Sequence, residues 1–248
     1  DAVLNSIGKK GELIIPGYKF ITLWKDMYTV YGGELDWWYG AIGSYVFSNE
    51  LWNEFMMFND TSSIDPYEFD RLLLFEDSFM AWEEVDHPDY GKVEVGGFNK
   101  NFGRTHPGFL LESDSHRNAA FCIYNAWVTP KLEVRDVKVQ NLGGGLKEVT
   151  ATVVNTQLMP THSGNNLKYR IDPPDYVSLD GGKVIAGMIV TDKDRNLNQE
   201  QKQNPQKLEI ENIPGYSHVN VKWIVKDGSK FTVRIESVKG GRASAESE

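Results

Sequence analysis

The stretch VNVKWIV, residues 219–225, places an apolar residue at every second position. A period of two is the pattern of a β-strand with one buried face. Similar runs of apolar and β-branched residues occur at 132–139, 149–155, 184–190, 208–213 and 231–238, with a further candidate at 167–171. Turn signals rich in Gly, Pro and Asp separate these runs, which predicts an all-β antiparallel sandwich over residues 130–240.

Two polar stretches in and after this region carry no strand pattern. Residues 191–207, TDKDRNLNQEQKQNPQK, are predicted to form a long exposed loop. Residues 241–248 are small and polar, so we expect a disordered tail.

Residues 1–129 have a different composition, because they carry the acidic excess of the chain and every tryptophan except Trp223. Their opening resembles the end of a helix, and residues 63–85 have the apolar spacing of one or two helices. Residues 91–98 alternate like a strand, and residues 106–127 predict a loop followed by a helix. Cys122 lies in that last helix, where we expect a buried small hydrophobe rather than a reactive thiol. The change near Pro130 predicts a domain boundary.

Several classes of function are disfavoured by the sequence. The net charge is -9, and no clustered basic face of the kind that binds nucleic acid or an anionic membrane is present. No run of apolar residues is long enough for a membrane span. The five histidines do not occur at metal-ligand spacing, and no G-x-S-x-G nucleophile motif occurs.

The most informative stretch is YKFITLWKDMYTVYGGELDWWYGAIGSYVFSNEL, residues 18–51. It contains a Tyr shortly before Gly-Gly, then Asp-Trp and a further Tyr, and ends on a Glu-Leu pair. The residues concerned are Tyr28, Gly32, Gly33, Asp36, Trp37, Tyr39, Tyr45, Phe47, Ser48, Glu50 and Leu51.

This pattern resembles the C-terminal segment of the catalytic domain of zinc carboxypeptidases of the A and B type, the M14 family. The resemblance implies that residues 1–129 are the C-terminal portion of an α/β domain with a mixed sheet and helices. It also implies that Glu50 is the general base at the end of a strand and that Tyr28 closes over the substrate. The implied side-chain pocket comprises Leu23, Val30, Gly33, Leu35 and Ser48, and Trp37 and Trp38 are expected to pack rather than to bind substrate.

The family's zinc ligands precede the tyrosine loop, and no such ligands occur in this chain. The family resemblance itself implies a secreted or periplasmic hydrolase that removes C-terminal residues from peptides. Its zinc and the upstream part of its catalytic domain are expected outside this sequence, and the chain alone is expected to be inactive. The implied partners are a peptide substrate and that upstream part, with no nucleic acid and no membrane span.

A second interpretation remains open. The chain is then a non-catalytic binding or adaptor module, in which the sandwich contacts a ligand or partner and the peptidase-like part is a scaffold.

Overall fold

A computed structural model describes residues 2–52 and 65–247. It contains two compact units. One unit comprises the described residues of Asp1–Leu4, Thr29–Val46 and Tyr124–Glu248, and the other those of Asn5–Tyr28 and Phe47–Ile123. The chain therefore passes between the units more than once, and residues 29–46 belong to the same unit as the C-terminal half. The boundary predicted near Pro130 stays a prediction.

The first unit is built on two antiparallel sheets. In chain order its strands are Leu132–Gly143 (β3), Leu146–Asn155 (β4), Asp175–Asp180 (β5), Lys183–Asp192 (β6), Leu197–Glu200 (β7), Lys207–Ile210 (β8), Ser217–Lys226 (β9), Thr232–Ser237 (β10) and Gly241–Glu246 (β11); β1 and β2 lie in the other unit. One sheet has the order β11-β10-β5-β8, and the other has the order β3-β4-β9-β6-β7. All of their pairings are antiparallel.

The core of this unit follows directly from the alternation seen in the sequence. Strand β9 buries Val221, Trp223 and Val225, and strand β10 buries Val233 and Ile235. These side chains belong to one hydrophobic cluster that draws on both sheets. The predicted antiparallel sandwich is therefore confirmed as a fold, because a period of two leaves each strand with one apolar face that a second sheet covers. Its predicted bounds, 130–240, stay a prediction.

Two predictions within the sandwich are wrong. Residues 167–171 are not a strand, because Gly164–Tyr169 form a short helix (α6) that Ser163 caps at its start and Arg170 ends in the left-handed conformation. The tail at 241–248 is not disordered over its described part, since Gly241–Glu246 form β11 and pair with β10 along its length. Because β11 has no large apolar side chain, the sequence did not indicate a strand here; its backbone hydrogen bonds satisfy the edge of β10. The loop predicted at 191–207 includes the edge strand β7.

The second unit combines helices with one hairpin. Its helices are Ala2–Ile14 (α1), Leu23–Asp26 (α2), Pro66–Leu73 (α4) and Gly108–Trp127 (α5). Helix α1 begins in the first unit, and α5 continues into the first unit after Ile123. Helix α3, Glu34–Asp36, lies in the first unit. The hairpin joins Phe79–His87 (β1) to Gly91–Phe98 (β2) in antiparallel register. Within the described ranges, no helix is long and apolar enough to cross a membrane.

The predicted α/β fold of residues 1–129 is wrong. Among their described residues the hairpin β1–β2 is the whole of the sheet structure, so no mixed sheet is present. Helix α4 confirms part of the helical prediction for 63–85, of which residues 63–64 lie outside the described residues. Phe79 and Trp82 are in strand β1 instead, and a Cβ on Gly96 of the opposite strand would lie 2.6 Å from the Trp82 Cα.

Helix α5 confirms the helix predicted within 106–127, but two of its three buried residues are polar. Its buried residues are Asp114, Asn118 and Phe121, while Ile123 is exposed. Cys122 is exposed as well, so the expectation of a buried small hydrophobe is wrong.

Candidate functional site

A short aromatic segment, residues 29–46, belongs to the unit that contains the sandwich. Helix α3 continues directly into a π-helical turn, Trp37–Ala41, so the two form one short helical stretch. Leu35 and Tyr39 are four residues apart and are both half-buried. They therefore mark the inner face of this stretch.

The opposite face of the aromatic segment presents rings to solvent. Trp37 is 61% exposed and Trp38 is 49% exposed, and Tyr31 in the preceding bend is 90% exposed. We refer to Tyr31, Trp37 and Trp38 as the aromatic platform. Trp37 and Trp38 were expected to pack rather than to bind substrate, but about half or more of each side chain is exposed, while Leu35 and Tyr39 are half-buried. Tyr45 lies near Tyr39, with 6.3 Å between ring centroids, and burial raises the pKa of Tyr45 to about 12.

Side chains of the sandwich hold the backbone of this segment. The Ser163 hydroxyl donates to the Gly43 carbonyl at 2.8 Å, and the Asn165 side-chain amide donates to the carbonyls of Tyr39 at 2.9 Å and Gly40 at 3.1 Å. These carbonyls lie at and after the end of the helical stretch, where no further turn of helix supplies donors. The anchors thus satisfy backbone groups that the aromatic segment cannot satisfy itself.

A charged pair supplies a further anchor. Lys239 Nζ donates to the Ile42 carbonyl at 3.2 Å and forms an ion pair with Asp172. Asp172 also accepts a hydrogen bond from Asn166 Nδ2 at 2.5 Å. Both charged side chains are largely buried, so the pair and its hydrogen bonds have a defined geometry.

The N-terminus of α6 organises these anchors. Ser163 is its N-cap, and its hydroxyl oxygen accepts from the Asn166 backbone N–H at 3.2 Å while its proton goes to Gly43. Gly43 has φ +69°, and a Cβ there would lie 2.9 Å from Asn166 Nδ2. Only glycine meets both the left-handed conformation and this close approach.

A second buried polar group lies in the same unit, beside the start of β5. His162 Nε2 donates to the Pro173 carbonyl at 3.1 Å, and its Nδ1 lies 3.7 Å from Asp175 Oδ2. Asp175 is fully buried, and this burial raises the pKa of its carboxyl group. Buried polar groups of this kind favour a single conformation of the chain around them. They therefore stabilise the part of the sandwich that carries the anchors.

The other unit has a polar cluster of its own. Asp114 pairs with His106 and accepts from the Tyr18 hydroxyl at 3.3 Å, and Asn118 Nδ2 donates to the Tyr18 oxygen at 3.1 Å. Asn49 Nδ2 in turn donates to Asn118 Oδ1 at 2.8 Å. Desolvation raises the pKa of Tyr18. These contacts connect α5 to Tyr18, Asn49 and His106. They satisfy the polar side chains on the buried face of α5, which explains why that face can be polar.

The structure does not bring the predicted substrate site together in one unit. Glu50 and Tyr28 are exposed, and they lie in the helical unit together with Leu23 and Ser48. Val30, Gly33 and Leu35 lie in the unit of the sandwich; a Cβ on Gly33 would lie 3.1 Å from Val30 Cγ1. The roles assigned to these seven residues stay predictions.

The metal prediction also stays untested. Among residues 2–52 and 65–247, no group of three or more His, Cys, Asp or Glu side chains is placed to hold a metal ion. The residues that the sequence interpretation missed are the anchors Ser163, Asn165 and Lys239. A Ser followed by Gly-Asn-Asn is a local signal for a helix N-cap, but nothing local indicates which carbonyl its proton reaches.

Comparison with known proteins gives one family match. Residues 131–248 match the model of a domain of unknown function, DUF8731. No curated protein matches the chain. This match covers the sandwich and begins next to Pro130.

Solved structures with similarity to the chain include three that differ in kind. An ASH/PapD-like domain of human CEP192 has 10% identity over 48% of this chain and 81% of that chain, with a TM-score of 0.24. A conjugative transposon lipoprotein from Bacteroides eggerthii has 12% identity over 46% and 92%, with a TM-score of 0.24. A GH20 exo-β-N-acetylglucosaminidase from Vibrio harveyi has 7% identity over 48% and 18%, with a TM-score of 0.20. At these scores no function is carried over to this chain.

The resemblance to zinc carboxypeptidases is therefore wrong, and with it the assignment as a hydrolase. The matched family model is that of a domain of unknown function and gives no support for a peptidase, and the described part of residues 1–129 lacks the mixed sheet that the resemblance requires. Residues 44–52, predicted to include a strand ending at Glu50, contain no strand. The spacing from Tyr28 to Glu50 matches in sequence, yet the residues between them fold with the sandwich rather than as a loop and strand beside Glu50.

Proposed function

We propose that this chain is a non-catalytic binding module, in which the sandwich holds the aromatic platform in place for a partner. The observation that carries the proposal is the contrast within residues 29–46. Three aromatic rings face solvent, while four backbone carbonyls of the same segment accept hydrogen bonds from sandwich side chains.

Rigid presentation of aromatic rings favours binding for two reasons. Tyr and Trp supply large contact areas, and they dominate the energetics of many interfaces. A segment that is already ordered loses little conformational entropy when a partner binds, so more of the contact energy appears as affinity. Exposed rings on a fastened backbone therefore fit a recognition surface better than a structural one.

Binding to a diverse array of peptides and oligosaccharides tests the proposal. We expect the double variant Trp37→Ala/Trp38→Ala to lose the interactions that the unaltered protein makes. The matched control is Trp127→Ala, which removes a tryptophan of the same unit that is 60% exposed but lies in α5. Circular dichroism and thermal unfolding establish that each variant is folded.

The result that contradicts the proposal is equal binding by the unaltered protein and the double variant. Loss of the same ligands in the Trp127→Ala variant would also count against it, because the effect would then not depend on the aromatic platform. A secreted or periplasmic location remains part of this proposal, and fractionation of cells that express the intact gene tests it.

A further inference from the structure

The aromatic platform is accompanied by acidic side chains and by no basic ones of its own segment. Residues 29–46 contain Glu34 and Asp36 but neither Lys nor Arg. Helical geometry places Glu34 on the same face as Trp38, because they are four residues apart in a continuous helical stretch. A carboxylate and an indole ring are thus neighbours on the exposed surface.

The two carboxylates differ in how they are used. Asp36 Oδ2 accepts from the Gly32 backbone N–H at 3.0 Å, which fixes the turn that presents Tyr31. Glu34 is exposed, and within the described part of the chain its carboxylate has no ion pair or hydrogen bond. It therefore has its full accepting capacity for a partner.

The nearest basic anchor of the segment does not cancel this charge. Lys239 donates to the Ile42 carbonyl, but its charge is balanced by Asp172 in a largely buried pair. The surface formed by the aromatic platform and Glu34 consequently combines ring faces of negative potential with an unpaired negative charge.

We infer that the partner of this surface is a cationic peptide segment whose Lys or Arg side chains stack on the tryptophan rings and donate to Glu34. This inference rests on the proposed function and specifies its ligand. Cations are attracted to the face of an aromatic ring, most strongly to that of Trp. Ammonium and guanidinium groups are donors only, and they complement a carboxylate that is an acceptor only.

The same chemistry disfavours two other occupants. An anionic ligand would be repelled by Glu34 and would find no cation of the segment to pair with. A neutral sugar could stack on the rings and donate a hydroxyl group to Glu34, but it would leave the negative charge of Glu34 without a counter-charge.

The experiment measures binding of a lysine-rich peptide to the full chain by tryptophan fluorescence and calorimetry. The comparison ligands are the same peptide with every lysine acetylated, a glutamate-rich peptide and a neutral oligosaccharide. We expect binding of the lysine-rich peptide alone, and we expect its affinity to fall as salt is raised, because exposed charges are screened.

Two single variants with the same change in net charge separate a specific site from general attraction to an acidic protein. We expect Glu34→Gln to weaken binding of the lysine-rich peptide about two- to fivefold, the range of an exposed charge pair. Glu200→Gln, which removes an exposed carboxylate from β7, is expected to leave the affinity unchanged. We expect Trp38→Leu to weaken binding by at least a similar two- to fivefold factor, because it keeps an apolar side chain but removes the aromatic face.

The outcomes distinguish the inference from the proposed function. If the oligosaccharide or the acetylated peptide binds and Trp37→Ala/Trp38→Ala abolishes that binding, the cationic partner is refuted while the binding surface stands. If the lysine-rich peptide binds equally to the Glu34→Gln and Glu200→Gln variants, or does not bind at all, the inference is overturned. If the peptide binds but the double tryptophan variant binds it equally well, the proposed function falls too.

Discussion

Replacing Ser163 with Ala tests the connection between the sandwich and the aromatic segment at one atom. The hydroxyl group of Ser163 accepts from the Asn166 backbone N–H, which caps α6, and donates to the Gly43 carbonyl. The substitution removes both hydrogen bonds while adding no bulk. Ser163 is 1% exposed, so water cannot easily take its place.

The expected loss follows from the two contacts. Removing a serine N-cap costs about 0.5 to 2 kcal/mol, and leaving a buried carbonyl without its donor costs about 1 to 3 kcal/mol. Because one side chain makes both bonds, the contributions are not independent. We therefore expect Ser163→Ala to lower the free energy of unfolding by about 2 to 4 kcal/mol.

Urea denaturation followed by circular dichroism measures this loss, and hydrogen exchange locates it. The amides of Ile42 and Ser44 donate to Trp37 and Trp38 carbonyls within the aromatic segment, so their exchange should accelerate if the anchor is released. Ser178→Ala is the matched control, because Ser178 is half-buried on β5 and its side chain forms no hydrogen bond with any described residue. We expect it to change stability by less than about 0.5 kcal/mol.

The reasoning is refuted if Ser163→Ala destabilises the protein no more than Ser178→Ala does. It also fails if stability falls as expected while exchange at Ile42 and Ser44 is unchanged, since the loss would then come from the cap of α6 alone.

Three further predictions concern the interior and the single thiol. Trp223 is fully buried, and its Nε1 donates to the Pro205 carbonyl at 3.0 Å. Trp223→Ala should lower the free energy of unfolding, measured in urea, by about 3 to 5 kcal/mol, and a loss below about 1 kcal/mol would contradict the core assignment. Burial raises the pKa of Asp175 above 3.8, so the folded state holds this proton more tightly than the unfolded state, and stability falls as pH rises above about 4. Unfolding measured across pH should show that Asp175→Asn removes this decline; an unchanged slope would refute its source. Cys122 is exposed, so a thiol reagent should modify it in the native protein at nearly the unfolded rate, and protection of about tenfold or more would contradict its placement.

The sandwich could be predicted because its information is local. Strands β4, β9 and β10 each carry buried residues at alternate positions, and the turns between strands contain Gly, Pro or Asp. Strand β11 could not be predicted in this way. Its residues, GRASAE, have no large apolar side chain, and they become a strand because β10 offers a free edge.

The anchors of the aromatic segment could not be predicted, because they join parts of the chain that are far apart in sequence. Ser163 is separated from Gly43 by 120 residues, and Lys239 from Ile42 by 197. A serine before Asn-rich residues indicates an N-cap, and an isolated lysine near a turn indicates solvent exposure. Neither pattern indicates which backbone carbonyl the side chain contacts.

The same limit explains why Cys122, Trp37 and Trp38 were expected to be covered although they are exposed. Periodicity shows which residues of a helix share a face, but what covers that face is decided elsewhere in the chain. In α5 the covered face carries Asp114 and Asn118, because Tyr18 and His106 satisfy their polar groups. In the aromatic segment the covered face carries Tyr39, whose backbone carbonyl accepts from Asn165, and Trp37 is exposed to solvent. In both elements, polar partners from other parts of the chain contact the covered side, and the apolar character of Cys122, Trp37 and Trp38 alone led to the wrong expectation.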